Sequence, residues 1–326
     1  MSATTLARDC SRCRSPLELE DLRCAVCALP VPLHEAAATN RARATVLRCD
    51  GCGAALSYEV EVQAPKCAFC GSVAHVERPE DPIEEAGAYL PFRVDPGAAQ
   101  AALGRWLGSL GWFRPSDLKT AATVSQLQPL WWVAWTFDVD ALVSWTADSD
   151  HGSGRSSWAP HSGQSPLTLS NVVVSASRGL REDEAAALVR AYDLGTAQHE
   201  PHAMPGATIE RFDVQRSAAR RIITDAVERA AQGQASHWVP GSRLRNLHVA
   251  VLPQRLTTRR CAFPAYVLAY RYHDRLYRAV VHGQDPSGVL GEAPYSILKI
   301  ALAIGGGIAA VLLIIALVAL VAALGG

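Results

Sequence analysis

The segments Cys49-Asp-Gly-Cys52-Gly53 and Cys67-Ala-Phe-Cys70-Gly71 contain two C-x-x-C pairs, with fourteen residues between Cys52 and Cys67. Each pair predicts a tight turn that brings two thiolates to one point, and the glycine after it suits a backbone with positive φ. Four thiolates at this spacing are typical of a structural zinc site with no open coordination position. From Leu56 to Val62 apolar and polar residues alternate, which predicts the half-buried strand of a zinc ribbon.

A second set of cysteines lies upstream of the first. It also contains two C-x-x-C pairs, with ten residues between Cys13 and Cys24, but no glycine follows Cys13 or Cys27. Its turns are therefore less strongly specified by the sequence. The cysteine pattern as a whole predicts two structural Zn²⁺ ions, and the predicted ligands are Cys10, Cys13, Cys24, Cys27, Cys49, Cys52, Cys67 and Cys70.

Disulfide bonds are the alternative use of these cysteines. The N-terminus carries no signal-peptide pattern, and four C-x-x-C pairs favour metal binding over bridges. A redox site is disfavoured because no βαβ pattern surrounds any pair. The remaining cysteine, Cys261, stands among apolar residues, which predicts a buried structural thiol.

The charge of the cysteine-rich region bears on its partners. From Met1 to Arg78 there are nine Lys or Arg residues and nine Asp or Glu residues. Each zinc ion held by four thiolates adds a charge of about −2. The region is thus predicted to be neutral to acidic, which argues against strong binding to phosphate groups.

The predicted architecture is multi-domain: two N-terminal zinc ribbons, an α+β body and one C-terminal transmembrane helix. An acidic, proline-containing segment that begins at Arg78 is a natural linker. The predicted boundaries are residues 1–34 for the first ribbon, 46–78 for the second, 79–88 for the linker, 89–295 for the body and 297–324 for the transmembrane helix.

The body is predicted to be built around a long strand. From Leu130 to Trp145 the odd positions are all apolar, which predicts a strand with one buried face. Its aromatic residues could instead form a platform for stacking bases, but a sheet packed on helices is the favoured interpretation. Before this strand, Asp95 and Pro96 predict the start of a helix.

Further elements follow in order. Strands are predicted over 167–177 and 247–256, a hairpin over 264–282, and helices over 182–194 and 213–233, the last with a solvated arginine-rich face. The polar stretch 148–166 predicts a mobile surface loop containing His151 and His161. The sequences 129–137 and 264–272 are similar at an offset of 135 residues, which suggests a duplicated unit.

The C-terminal segment is apolar. From Ile300 to Gly326 there is no charged side chain, so this segment is long enough to cross a bilayer as a helix. Its position predicts a tail anchor, and Lys299 before it predicts that the body lies in the cytoplasm, at the inner membrane. Ala301, Gly305 and Ala309, spaced by four, suggest self-association of this helix.

Several of these segments together resemble a bacterial family of membrane-associated zinc-ribbon proteins. The resemblance rests on the second cysteine set and on the segments 90–95, 112–115, 129–138, 277–289 and 294–296. The ribbons are similar to zinc modules of general transcription factors and of the replication-restart helicase. The chain lacks a G-x-x-x-x-G-K-[ST] loop, so the resemblance does not extend to a helicase motor. It implies no established reaction.

The sequence favours a non-catalytic, tail-anchored adaptor or scaffold that binds a protein partner at the membrane. The alternative is a nucleic-acid-binding protein tethered to the membrane, with arginines of the ribbons on one side: Arg12, Arg14, Arg23, Arg41, Arg43 and Arg48. An enzyme is disfavoured, since G-x-S-x-G, P-loop, dinucleotide-binding and paired-histidine motifs are all missing from the sequence. His199 and His202 flank a proline and do not form H-E-x-x-H.

Overall fold

The computed structural model describes residues 8–14, 16–17, 23–24, 27, 29–31, 46–57, 66–77, 84–118, 127–151, 157–272 and 275–324. The predicted ribbon strand beyond Ser57 and residues 79–83 of the predicted linker 79–88 lie outside these residues. The elements in chain order are β1 (Arg8–Asp9), β2 (Pro16–Leu17), β3 (Val46–Cys49), β4 (Ala55–Ser57), β5 (Ala74–Glu77), β6 (Ala88–Tyr89), α1 (Pro96–Ser109), β7 (Gln128–Ser149), β8 (Ala159–Ser175), α2 (Glu182–Val189), a 3₁₀ turn (Leu194–Thr196), β9 (Thr208–Ile209), α3 (Arg216–Trp238), β10 (Leu244–Tyr272), β11 (Arg275–His282), β12 (Val289–Gly291) and α4 (Ile297–Leu324).

A large sheet forms the body. Its strands are ordered β12-β11-β10-β7-β8, all neighbours in this path are antiparallel, and the short strands β6 and β9 add parallel pairings to β10 and β7. The pairing of β7 with β10 runs from Gln128 opposite Val267 to Ser149 opposite Leu244. The two longest strands therefore form the centre on which the other elements pack.

Strand β7 buries both of its faces in its first half. Leu130, Trp132 and Ala134 pack in a cluster with α2 and the second cysteine set, whereas Trp131 and Trp135 pack in a cluster with α3. Every residue from 130 to 137 is buried, and only beyond that point do buried and more exposed residues alternate. The predicted single buried face is thus correct only for the second half, because the second cysteine set covers the other face of the first half.

Helix α1 begins as the sequence predicts. The side chain of Asp95 accepts a hydrogen bond from the backbone N–H of Ala98 at 2.9 Å, and Pro96 is the first helical residue. The buried face of α1, which includes Leu103, packs on Tyr266 and Leu268 of β10. Helices α1 and α3 therefore cover one face of the sheet, and α2 and the second cysteine set cover the other.

Helix α3 differs from its prediction at both ends. It begins at Arg216 and continues through Gly233 to Trp238. Asp213 lies before the helix and pairs with Arg48 and Arg178 instead of capping it. The arginine-rich face is also not simply solvated, since Arg216 pairs with Glu84 at 3.2 Å.

The predicted loop over 148–166 is largely a strand pair. Strand β7 continues to Ser149, β8 starts at Ala159, and His161 lies opposite Ala147 in the ladder. The indole N–H of Trp145 donates to the hydroxyl of Ser165 at 3.1 Å. The polar sequence of β8 is explained by its position at the edge of the sheet, where half of its side chains face water.

Strand β10 joins two predicted strands. It is continuous from Leu244 to Tyr272, with irregular pairing between Pro253 and Arg255. The predicted hairpin is present, since Ala265 pairs with His282 and Tyr272 with Arg275.

The elements before the two central strands are arranged alike. A two-residue strand ending at residue 89 precedes a helix that starts at 96, and a two-residue strand ending at residue 209 precedes a helix that starts at 216. Each short strand pairs with the long strand that does not directly follow its helix: β6 with β10, and β9 with β7.

Helix α4 follows the body directly. None of the residues Ile297–Leu317 is buried, and this segment of 21 residues is long and apolar enough to cross a membrane.

Candidate metal centres

The second cysteine set brings four sulfur atoms to one point. The Sγ atoms of Cys49 and Cys70 are 3.3 Å apart, those of Cys52 and Cys67 are 3.6 Å apart, and all four lie within 4.8 Å of one another. A tetrahedral site with Zn–S bonds of about 2.3 Å places its sulfurs about 3.8 Å apart. The distances are close to that value and well beyond the ~2.05 Å of a disulfide bond.

The backbone conformation after each C-x-x-C pair explains why a glycine follows the second cysteine. Gly53 and Gly71 have φ of 77° and 71°, and their N–H groups donate to the carbonyl oxygens of Cys49 and Cys67 at 3.1 and 2.7 Å. The N–H of Gly51 points at the sulfur of Cys49 at 3.3 Å. Such turns fix the direction of both thiols in a pair.

The first cysteine set has the same geometry without the glycines. The Sγ atoms of Cys10 and Cys27, and those of Cys13 and Cys24, are each 3.5 Å apart. Arg14 takes φ of 61° at the position that Gly53 occupies in the other set, and its N–H donates to the carbonyl of Cys10 at 2.9 Å. A non-glycine residue in this conformation is strained, so the cysteine site itself must stabilise the turn.

The donor set fits a soft tetrahedral cation. Hydrogen bonds with Cys52 and Cys70, and then burial, raise the pKa of Cys67 far above its usual range. Four thiolates cannot share one small volume without a positive ion among them. Sulfur-only tetrahedral sites select ions of the class to which zinc belongs over magnesium or calcium. None of the nine cysteines of the chain, Cys261 included, forms a disulfide bond.

The second cysteine set is packed into the core of the body. Its strands form a sheet ordered β4-β3-β5, and residues such as Leu47 and Phe69 share one buried cluster with Trp132 and Phe263. The N–H of Arg211 donates to the carbonyl of Ala55 at 2.9 Å. The first set instead forms a small separate cluster, whose buried members are Cys10, Leu17 and Cys24.

The contact between Phe69 and Gly179 is tight. A Cβ atom added at Gly179 would lie 2.4 Å from a ring carbon of Phe69, which is fully buried. We expect Gly179→Ala to destabilise the protein by about 1–3 kcal/mol, because the added methyl group must displace a fully buried ring. Thermal unfolding followed by near-UV circular dichroism measures this change.

Gly233→Ala is the matched control for that substitution. Gly233 lies inside α3 with open space around its Cβ position, so alanine should stabilise the helix by roughly 0.5–1 kcal/mol. Equal effects of the two substitutions would show that Phe69 does not restrict the position of residue 179.

An ionic network also joins the second cysteine set to the body. Arg48 of β3 donates to Glu77 at 2.6 Å and pairs with Asp213 at 2.8 Å, and Asp213 also pairs with Arg178. Burial opposes the charge of Arg48, but its carboxylate partners outweigh burial and raise its pKa. The charge of Arg48 is therefore balanced by carboxylates of the fold itself.

Glu210 is a buried carboxyl group at the same junction. Its Oε1 accepts hydrogen bonds from the Ser177 hydroxyl at 2.8 Å and the Gly179 N–H at 3.3 Å, while Oε2 is buried with no hydrogen-bond partner among the described residues. Burial raises the pKa of Glu210 to about 8. The sequence offered no signal for this residue, because a lone glutamate is ordinarily exposed.

The raised pKa of Glu210 predicts a pH-dependent stability. The folded state holds this proton up to a pH of about 8, whereas the unfolded chain releases it near its ordinary value of 4.5. The folded state therefore binds more protons between these values, and this contribution to stability falls as the pH rises through that window. We expect Glu210→Gln to melt near the wild-type temperature at pH 5 and to exceed it by a growing margin, reaching several degrees, as the pH rises to 8.

The control for this comparison is Glu292→Gln, since Glu292 is exposed and pairs with Arg181 at the surface. Its melting temperature should follow that of wild type over the same pH range, apart from a small constant offset. A Glu210→Gln curve parallel to wild type would contradict the raised pKa.

The histidines noted in the sequence do not assemble into a site. His151 is exposed, His161 lies within β8, and His199 and His202 are exposed in a loop before β9. In the part of the chain that the structure describes, the groups of three or more His, Cys, Asp or Glu side chains close enough to hold a cation are the two four-cysteine sets.

Comparisons with protein-family models, with curated proteins and with solved structures found no match for this chain. The resemblance to membrane-associated zinc-ribbon proteins therefore stays a prediction from the sequence. The geometry itself defines two four-cysteine sites, a sheet-rich body and one exposed apolar helix.

Proposed function

We propose that this protein is a non-catalytic adaptor anchored in a membrane by α4, with zinc as the structural ion of both cysteine sites. Each site offers four sulfur ligands and leaves no open position for a substrate, so its role is to hold a surface in shape. In the proposed arrangement α4 is a tail anchor at the inner membrane and the body faces the cytoplasm, where free thiols persist.

The observation that carries this proposal is the difference between the two cysteine sites. The second site is part of the core of the body, whereas the first has its own small core. A module with a separate core can present its surface to another molecule without disturbing the fold that carries it. We therefore assign the partner-binding role to the first ribbon.

Nucleic acid is the alternative partner. Arg12 and Arg14 are exposed at the first site, but Arg48 is largely buried between Glu77 and Asp213 and is not available to a phosphate. On the sheet, Arg255 and Arg259 are paired across strands with Asp140 and Asp138. These pairings neutralise charges that a nucleic-acid interface would need.

A salt series distinguishes the two partners. The full-length, zinc-loaded protein in detergent is titrated with DNA and with RNA near physiological ionic strength. The adaptor proposal expects no tight binding. Tight binding that weakens steeply with added salt would contradict it and favour the nucleic-acid tether.

Photo-crosslinking then tests the assignment to the first ribbon. A crosslinking residue at exposed Arg12 is compared with one at exposed Thr224 of α3, each in the full chain in its native membrane. We expect protein adducts from position 12 that disappear when Cys24 is also replaced by serine. Adducts from position 224 alone would contradict the assignment.

A duplication of the body is the accompanying structural proposal. It is supported by the matching strand–helix spacing before β7 and β10 and by the reciprocal pairing of β6 and β9. Each half would then be incomplete alone, since its short strand pairs with the long strand of the other. Self-association through Ala301, Gly305 and Ala309 of α4 stays a further hypothesis.

A further inference from the structure

The start of α4 is held by a turn that follows α1. The N–H of Ser296 donates to the carbonyl of Phe113 at 2.8 Å, and the ammonium group of Lys299 donates to the carbonyl of Arg114 at 2.8 Å. Arg114 also donates to the carbonyl of Pro294 at 3.2 Å. These bonds place the turn beside the first residues of the apolar helix.

The same place carries three exposed aromatic side chains. Trp112 is 57% exposed, Phe113 46% and Tyr295 63%. The guanidinium of Arg114 lies 3.7 Å from the ring centre of Tyr295, and the Lys299 ammonium lies 5.8 Å from that of Trp112. We name these five residues the aromatic–basic collar: Trp112, Phe113, Arg114, Tyr295 and Lys299.

We propose that the aromatic–basic collar is a membrane-interface surface that inserts among lipid headgroups and fixes the height of the body above the bilayer. This inference rests on the proposed membrane anchoring by α4. Tryptophan and tyrosine concentrate at the boundary between hydrocarbon and water, because one part of the ring is apolar and the other forms hydrogen bonds. Arginine and lysine at this depth pair with lipid phosphates.

The depth of the collar follows from Lys299. This residue is the third of α4, and a charged ammonium at the start of a membrane helix lies at headgroup level. Because it is bonded to the carbonyl of Arg114, the turn with Trp112 and Phe113 lies at the same level. The exposed apolar rings are then covered by lipid instead of water, which accounts for their exposure in the isolated chain.

Tryptophan quenching by brominated lipids tests this surface. Helix α4 contains no tryptophan, so any quenching reports on the body alone. The full-length chain is reconstituted into phosphatidylcholine–phosphatidylglycerol vesicles whose acyl chains are brominated either near the headgroup or near the terminal methyl. We expect shallow bromines to quench emission more than deep ones, and Trp112→Phe to reduce the shallow quenching about twofold or more.

Trp158→Phe is the matched control. Trp158 lies just before β8, at the opposite edge of the sheet from β12, and contacts Arg245. Its replacement should leave shallow quenching unchanged. Shallow quenching that is equal in wild type and Trp112→Phe, with the protein still floating with the vesicles, would overturn the collar while leaving the anchor intact. Protein that does not float with the vesicles would instead contradict the anchoring itself.

Discussion

Replacing Cys67 with serine is expected to remove one zinc ion per chain and to lower the melting temperature of the whole body. The cysteine site that loses its ligand shares a buried cluster with Trp132 and Phe263. The binding of a structural zinc ion contributes about 10–16 kcal/mol to the free energy of folding in small zinc-finger peptides. Domains are stable by only about 5–15 kcal/mol. Loss of this ion should therefore destabilise the sheet as well as the ribbon.

Cys24→Ser is the matched comparison. It should also remove one ion, but the first cysteine set forms a separate small cluster, so the body should melt near the wild-type temperature. Metal content by atomic spectroscopy and melting by near-UV circular dichroism, which reports on the buried tryptophans, are measured on the same samples. Equal melting temperatures of the two variants would contradict the structural difference between the sites. Fewer than two zinc ions per wild-type chain would show that one of the two cysteine sites does not bind zinc.

A chain that ends at Ser296 is expected to leave the membrane fraction entirely while keeping its zinc and its fold. No residue of α4 from Ile297 to Leu317 is buried, so its removal takes no buried side chain from the core of the body. The truncation does remove the hydrogen bond from the Lys299 ammonium to the carbonyl of Arg114, which lies at the surface turn after α1. The full-length chain should resist alkaline extraction, because roughly 20 apolar residues suffice to span a bilayer.

The control for this truncation is the full-length Leu312→Ala variant, which keeps the helix and its apolar character. It should remain in the membrane fraction after alkaline extraction, and protease should reach the body from the cytoplasmic side only. Recovery of the wild-type chain in the soluble fraction would contradict anchoring by α4. Loss of zinc from the truncated chain would show that the helix also supports the body.

The cysteine sites and the apolar helix could be predicted because their signals are local. Two residues between cysteines fix one turn, and a long uncharged segment fixes one helix, whatever the rest of the chain does. The start of α1 is local in the same way, since Asp95 caps the helix that Pro96 opens. The sequence also predicted the hairpin of β10 with β11 and a long strand at β7.

The wrong predictions concern β8 and the two ends of α3, where the sequence pattern alone was misleading. Residues 159–166, the polar first part of β8, were predicted as a loop because only their pairing with β7, and the contact of Ser165 with Trp145, make them a strand. The rest of β8 lies within the predicted strand over 167–177. Gly233 does not end α3, because a glycine exposed on one helix face costs only about 1 kcal/mol. Asp213 caps no helix because two arginines from elsewhere in the chain pair with it.

The sequence by itself determined which cysteines form each site, where the apolar helix lies and, to within two residues, where the central strand β7 begins. Only the tertiary structure decided that the second site belongs to the core of the body, that the first half of β7 buries both faces, and that Glu210 is buried. These features depend on contacts between residues far apart in the chain, such as Phe69 with Gly179. No local pattern of residues encodes such contacts. Whether a side chain is buried depends on which distant part of the chain packs against it, and not only on its own neighbours in the sequence.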